Sequence, residues 1–334
     1  MLRGLHQIQM SDTQQSGQSS RIRGLDGLRA LSMALVLVQH GRASFPTQYA
    51  PIRFLVDLLA NGTLGVTTFF VISGYLITYL LRKEFTQTGR ISLSAFYIRR
   101  ALRIFPALYL YLAVIALLRC VGVLDTTPGD FLVAGCFVSN YRHAFMDPVT
   151  DATMNGFWFL GHFWTLALEE QFYLLWPFAV VLAGLTRAPR VSLAIIALAP
   201  LLRVLTYFAW PASRGQLGGM VHCAGDSLMF GCLLALWQGR PGFENFAKRY
   251  HHWTMPVAAL VYLLVVSPEL GQRFRGSYSM TMGISLNSLA ITSILIWIVS
   301  HQDGAIVRGL EWAPLKGLGV LSYSVYLWQQ LVLA

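Results

Sequence analysis

Nine apolar runs recur along this chain, near residues 25–45, 61–81, 101–121, 158–183, 191–209, 220–238, 253–267, 278–300 and 317–334. Most are long enough, at ~1.5 Å rise per helical residue, to cross a ~30 Å hydrocarbon layer. The expected fold is therefore all-α: a polytopic transmembrane helical bundle of about nine to ten spans. Residues are 55% hydrophobic and only 12% charged, against about 25% charged in soluble domains. The stretch 129–140 is too short to assign as a crossing and reads as a re-entrant segment or a tilted extra helix.

The formal net charge of +10 points to membrane topology rather than nucleic acid, because the basic residues gather in alternate loops. With the N-terminus inside, the inner segments hold 17 of the 25 Lys and Arg residues. That bias fits a multi-pass protein of the cytoplasmic (inner) membrane with a cytoplasmic N-terminus. Residues 1–20 are rich in Gln and Ser, lack the apolar core of a signal peptide, and read as a disordered tail. Residues 21–334 form the membrane domain. Cys120, Cys136, Cys223 and Cys232 make no C-x-x-C pair, and neither a disulfide framework nor metal-ligand spacing is present.

The stretch RIRGLDGLRALSMALVLVQH, residues 21–40, is the first to suggest chemistry. Arg29 and His40 are eleven residues apart, so on a helix they share one face within about 20° and stand roughly 16.5 Å apart along the axis. A cation near one surface and a titratable ring at mid-membrane resemble two stations on one path. Ionisable groups are costly in lipid and usually face a bundle interior or a water-filled cavity. A packed helix whose histidine bonds to a neighbour is the alternative.

Further candidates follow in order. In GVTTFFVISGYLITYL, Gly65, Ser73 and Gly74 are small enough for close helix approach, while Ser73 and Tyr75 offer hydroxyls to a ligand. No activating base stands beside Ser73 in sequence, so it is not read as a nucleophile. In FYIRRALRIFPALYLYL, Arg99, Arg100 and Arg103 form a cluster suited to phosphates, or simply to anchoring on anionic lipid. In HFWTLALEEQFYLLWP, His162 and Glu169 align on one face, and two adjacent acids, Glu169 and Glu170, need a partner or a cavity. Either acid can orient a histidine or hold a hydroxyl; a structural ion pair with an arginine is the alternative. Asp226, in HCAGDSLMFGCLLAL, can pair with Arg203 in a supporting role. No G-x-S-x-G elbow, P-loop, G-x-G-x-x-G or H-x-x-x-x-D box occurs; His143 with Asp147 and His222 with Asp226 have the wrong spacing for the last.

Together these pieces resemble the membrane acyltransferase family 3, multi-pass proteins that O-acetylate surface polysaccharides and related acceptors. The matching stretches, in the family's order, are LDGLRA with Arg29 and His40 at R-x10-H spacing, GVTTFFVISGYLI, RRALRIFPALY, HFWTLALEEQFYLLWP, GDSLMFGCLLAL and LSYSVYLW. The resemblance implies an O-acetyltransferase that takes an acyl group from cytosolic acetyl-CoA, a donor substrate rather than a resident cofactor. The acceptor would be a hydroxyl of a glycan or lipid-linked sugar. It implies catalytic roles for His40, Arg29, Glu169 and Glu170, donor binding by Arg99, Arg100 and Arg103, and support from Asp26, Ser73, Tyr75, His162, Trp164, Asp226 and Tyr323.

Two departures from the family pattern stand out. Gln329 occupies the position of a histidine and cannot titrate near neutral pH. One further helix, usual after this motif, is missing. These keep open an inactive truncated homologue serving as a membrane partner. A proton-coupled transporter is the other alternative, although no internal repeat supports it.

Overall fold

The computed structural model describes residues 21–46, 48–142, 154–238, 240–250 and 252–333. The expected tail at 1–20 and the His143–Asp147 spacing lie outside them. Among the described residues the chain is all-helical, with no strand. Helices α1 (Leu25–His40), α2 (Ala50–Leu59), α3 (Gly62–Thr88) and α4 (Leu93–Cys120) are followed by the short α5 (Pro128–Gly135) and α6 (Met154–Gly161). Then come α7 (Phe163–Ala209), α8 (Val221–Trp237), α9 (Phe243–Arg249), α10 (Thr254–Val261), α11 (Ser267–Arg273), α12 (Ile284–Ser300), α13 (Ala305–Leu310) and α14 (Ala313–Val332).

Six helical stretches among the described residues are long and apolar enough to cross a membrane: Ala50–Thr88, Leu93–Cys120, Trp158–Ala209, Pro211–Trp237, Thr254–Arg273 and Ser279–Ser300. The sequence runs do not map onto them one to one. Trp158–Ala209 takes in two runs, and the loop expected at 184–190 shrinks to a break at Gly184, whose φ of 73° suits glycine. Helix α1 has 16 residues, about 24 Å, and α14 is diluted by Tyr323, Tyr326, Gln329 and Gln330. Helix α5 has 8 residues and is too short to cross at ~1.5 Å per residue. A reciprocal box holds its start, with Thr127 Oγ1 accepting from Asp130 N–H and Asp130 Oδ2 accepting from Thr127 N–H. The amphipathic α2, with Phe54, Leu55 and Leu58 exposed, was not foreseen.

Small residues set the packing. A Cβ on Gly74 of α3 would stand 1.9 Å from Leu228 O of α8, and one on Gly231 would stand 2.0 Å from Val71 O. These two helices therefore touch backbone to backbone, as the small-residue pattern led one to expect. Gly65 brings α3 against α1 in the same way, its Cβ position 2.5 Å from Ser32 O. Around this crossing, Phe70, Leu168, Trp176 and Leu228 tie α3, α7 and α8 together. A second cluster, including Met33, Tyr111, Phe163 and Leu327, joins α1, α4, α7 and α14.

Candidate functional site

Two cavities lie back to back within the helices. The first, about 410 Å³, is lined by Arg29, Ser73, Lys83, Arg100, Arg103 and Glu169, with Asp26 and Tyr323 also at its wall. The second, about 670 Å³, is lined by Gln39, His40, Asn140, Trp158, His162 and Trp164. Val66, Phe70 and Tyr326 face both and form the partition between them. The basic cavity thus holds five Arg or Lys side chains, Arg21 included, against Asp26 and Glu169. Among the described residues, histidines are the second cavity's sole ionisable lining groups apart from Tyr326.

Helix α1 lines both cavities. Arg29 reaches the basic one and His40, at the C-terminal end of the same helix, the neutral one. Helix α7 does the same in the opposite direction: His162 at its start faces the neutral cavity and Glu169 the basic one.

Two cations in the basic cavity have Glu169 as a nearby opposite charge but no direct partner among the described residues. Neither Arg29 nor Arg103 makes a hydrogen bond or ion pair with a described residue. The other arginines are committed. Arg100 donates from Nη2 to Glu170 Oε1 at 2.8 Å and stacks 3.4 Å over the Tyr173 ring. Arg99 stands outside the cavity, 63% exposed and 3.6 Å from Glu84. Asp26 pairs with Arg21.

The adjacent acids divide their tasks. Glu169 accepts from Ser73 Oγ at 2.8 Å inside the basic cavity, whereas Glu170 is held by Arg100 and lines neither cavity. Neither carboxylate touches His40, so the expected orientation of that ring by Glu169 has no contact behind it. The reason is geometric, since Glu169 follows His162 by about two helical turns and lies on the far side of the partition. His40 Nδ1 faces Gln329 Oε1 at 3.2 Å instead, and the ring stands edge-on to Trp158, centroids 5.9 Å apart.

Other candidates find structural work. Tyr75 is buried away from both cavities and donates to Gln238 Oε1 at 2.7 Å. Asp226 is fully buried, pairs with Arg203 as the sequence suggested, and accepts from Ser285 Oγ at 2.5 Å. Tyr323 donates to Ile104 O at 3.2 Å. His162 is buried with both ring nitrogens engaged, Nδ1 at 2.8 Å from Gln330 Oε1 and Nε2 at 3.1 Å from Leu327 O.

Sequence reasoning missed several lining residues. Tyr326 and Gln330, four apart, both face the neutral cavity from α14. The Tyr326 hydroxyl is pinned by Thr165 Oγ1 at 2.5 Å and donates to the His162 carbonyl at 3.1 Å. Asn140 enters from the turn after α5, its amide donating to Gln171 Oε1 and Gly219 O. The helical period of α14 offered the only signal for the first two; nothing local marks Asn140.

A family model described as an acyltransferase domain matches residues 22–334. The O-acetyltransferase OatA of Staphylococcus aureus (strain NCTC 8325 / PS 47) is 30% identical over 318 residues, covering 91% of this chain and 49% of OatA. YrhL of Bacillus subtilis (strain 168), provisionally named a peptidoglycan O-acetyltransferase, is 29% identical over 320 residues, covering 92% of this chain and 48% of YrhL. The chain therefore spans about half the length of the curated relatives it matches. No solved structure matches it. By this nearly full-length match, the chain belongs to acyltransferase family 3, as its ordered motifs implied.

Proposed function

We propose that this chain is an integral-membrane O-acetyltransferase that moves an acetyl group from cytosolic acetyl-CoA to a hydroxyl of a surface or exported glycan. The single observation that carries the reading is the pair of cavities sharing a wall. One presents the uncommitted cations Arg29 and Arg103, and the other presents His40 amid amides and indoles. Guanidinium groups suit the phosphates of a coenzyme A donor. Amide and indole groups suit the hydroxyls and apolar faces of a sugar. Ser139 Oγ and Gln216 Oε1, both at the neutral cavity, are buried without a partner among the described residues and are available to such a ligand.

The orientation that suits this reading puts the basic cavity at the cytoplasmic face of the inner membrane, with the N-terminus cytoplasmic. Helices α1 and α14 then cross the bilayer beside the six long apolar stretches, and the two parts of α7 on either side of Gly184 each cross once. This brings the count toward the nine expected from the runs.

An alcohol is a poor nucleophile at neutral pH and needs a base, for which an imidazole of ordinary pKa ~6.5 is well matched. His40 takes the hydroxyl proton as the oxygen attacks the thioester carbonyl; the C–S bond breaks and its electron pair leaves on sulfur. Arg29 and Arg103 hold the donor phosphates, and Glu169 with Ser73 lines the thioester's approach. In cells lacking the protein, restored wild type is expected to return ester-linked acetyl to the surface glycan while His40→Ala does not. Equal restoration by His40→Ala rules out His40 as the base.

A further inference from the structure

We propose that Gln329 is a positioning residue that fixes the tautomer of His40, leaving its Nε2 as the lone pair that receives the acceptor's proton. The inference rests on the reading of His40 as base and deepens it.

Gln329 is 3% exposed, and its Oε1 stands 3.2 Å from His40 Nδ1. A neutral imidazole carries one N–H, and the hydrogen bond made by one nitrogen decides the state of the other. A carbonyl oxygen can only accept, so Nδ1 keeps the hydrogen and Nε2 is left unprotonated. Among the described residues Nε2 has no hydrogen-bond partner, and the ring lines the neutral cavity. Trp158, packed edge-on at 5.9 Å, restrains the ring plane. The other histidine at this cavity, His162, has both nitrogens engaged by the same last turns of α14. His40 is thus the histidine there with a ring nitrogen free to react.

The step balances. The acceptor O–H breaks with its proton going to Nε2, the new C–O bond forms, and the thioester C–S bond breaks. The departing thiolate is protonated in the end by that same proton, so ester and thiol are the only products. Gln329 cannot accept a proton and stays an acceptor for Nδ1–H throughout. Its role is orientation rather than relay, which distinguishes it from a histidine at the same position.

The test combines ¹⁵N-histidine NMR of the full chain in nanodiscs with acyl-transfer kinetics, the His40 signals being assigned by their loss in His40→Gln. Wild type is expected to show a protonated Nδ1 and an unprotonated Nε2. Gln329→Glu, which keeps an acceptor oxygen, is expected to retain that pattern. Gln329→Leu is expected to gain the Nε2–H form and lose about tenfold or more in kcat, with donor KM within about twofold. Finding Nε2–H in wild type, or an unchanged tautomer in Gln329→Leu, overturns the proposal. Should Gln329→Leu fail to fold, the wild-type spectrum alone decides. A correct tautomer in a wild-type protein that transfers no acetyl group overturns the enzymatic reading and leaves the positioning intact.

Discussion

Ser73 Oγ donates to Glu169 Oε1 at 2.8 Å, while the next residue, Glu170, is held at the same distance by Arg100. Adjacent acids on one helix turn thus face different surroundings, one in a cavity and one in a salt bridge over the Tyr173 ring. Their variants should differ in kind.

Arg100→Met leaves Glu170 without its cation in a largely enclosed site, and is expected to cost up to about 3 kcal/mol of stability. Glu170→Gln is expected to be milder, and the pair Arg100→Met with Glu170→Gln to recover part of the loss. Thermal unfolding of the three variants in detergent measures this. Strictly additive losses would mean the two groups do not interact.

Arg29 and Arg103 share the cavity with Glu169 but make no direct ion pair among the described residues, whereas Arg99 is exposed beside Glu84. Hydrogen bonds to charged groups contribute about 1.5–3 kcal/mol, so Arg29→Ala and Arg103→Ala should each raise donor KM by about tenfold or more. Arg99→Ala should stay within about twofold. Donor titrations on protein in nanodiscs read all three, and an Arg99 effect as large as the others would contradict the cavity assignment.

Asp226 and Arg203 are fully buried together. Asp226→Leu strands the arginine, and removing one partner of a buried pair costs about 3–5 kcal/mol. The expected outcome is a sharp drop in folded yield, with normal turnover per molecule in whatever folds. Full yield with lost turnover would make Asp226 a participant in the chemistry.

Glu311 joins the loop before α14 to the start of α1, accepting from Gly24 N–H at 2.6 Å with Lys316 Nζ at 3.3 Å. Partial burial pulls its carboxyl upward, but the Gly24 and Lys316 bonds outweigh this and hold it below the usual carboxylate range. A carboxyl lowered by folding stabilises the fold above its unfolded pKa of ~4.3, and that contribution fades as pH falls through the folded value. Glu311→Gln should therefore unfold more easily than wild type at about pH 6, the gap closing toward about pH 3. A gap independent of pH would disconnect the effect from the carboxylate.

Much of this was legible in the sequence because lipid limits the choices. Apolar runs marked the helices, the small residues of α3 marked a site of close helix approach without naming its partner, and the eleven-residue interval put Arg29 and His40 on one face of α1. The Arg203–Asp226 pair was readable because neither charge can stand alone at that depth. What could not be read was partnership across the bundle. Arg99, Arg100 and Arg103 look alike as a motif, yet only the packing of α4 on α7 commits Arg100 to Glu170 and leaves Arg103 free. Tyr75 and Ser73, two apart on α3, fall on different sides of it, so only Ser73 meets a cavity. Local pattern is also silent on the partition, because Val66 and Phe70 of α3 meet Tyr326 of the distant α14.

The most direct test of the two-cavity transfer is the ester-linked acetyl content of surface and exported glycans. It is measured in cells lacking the protein and in cells restored with wild type, Arg29→Ala or His40→Ala, at matched membrane levels. The account predicts that acetyl is lost on deletion, returns with wild type, stays absent with His40→Ala and is reduced with Arg29→Ala, one failing at the acceptor cavity and the other weakened at the donor cavity. Full acetylation with both variants would contradict it.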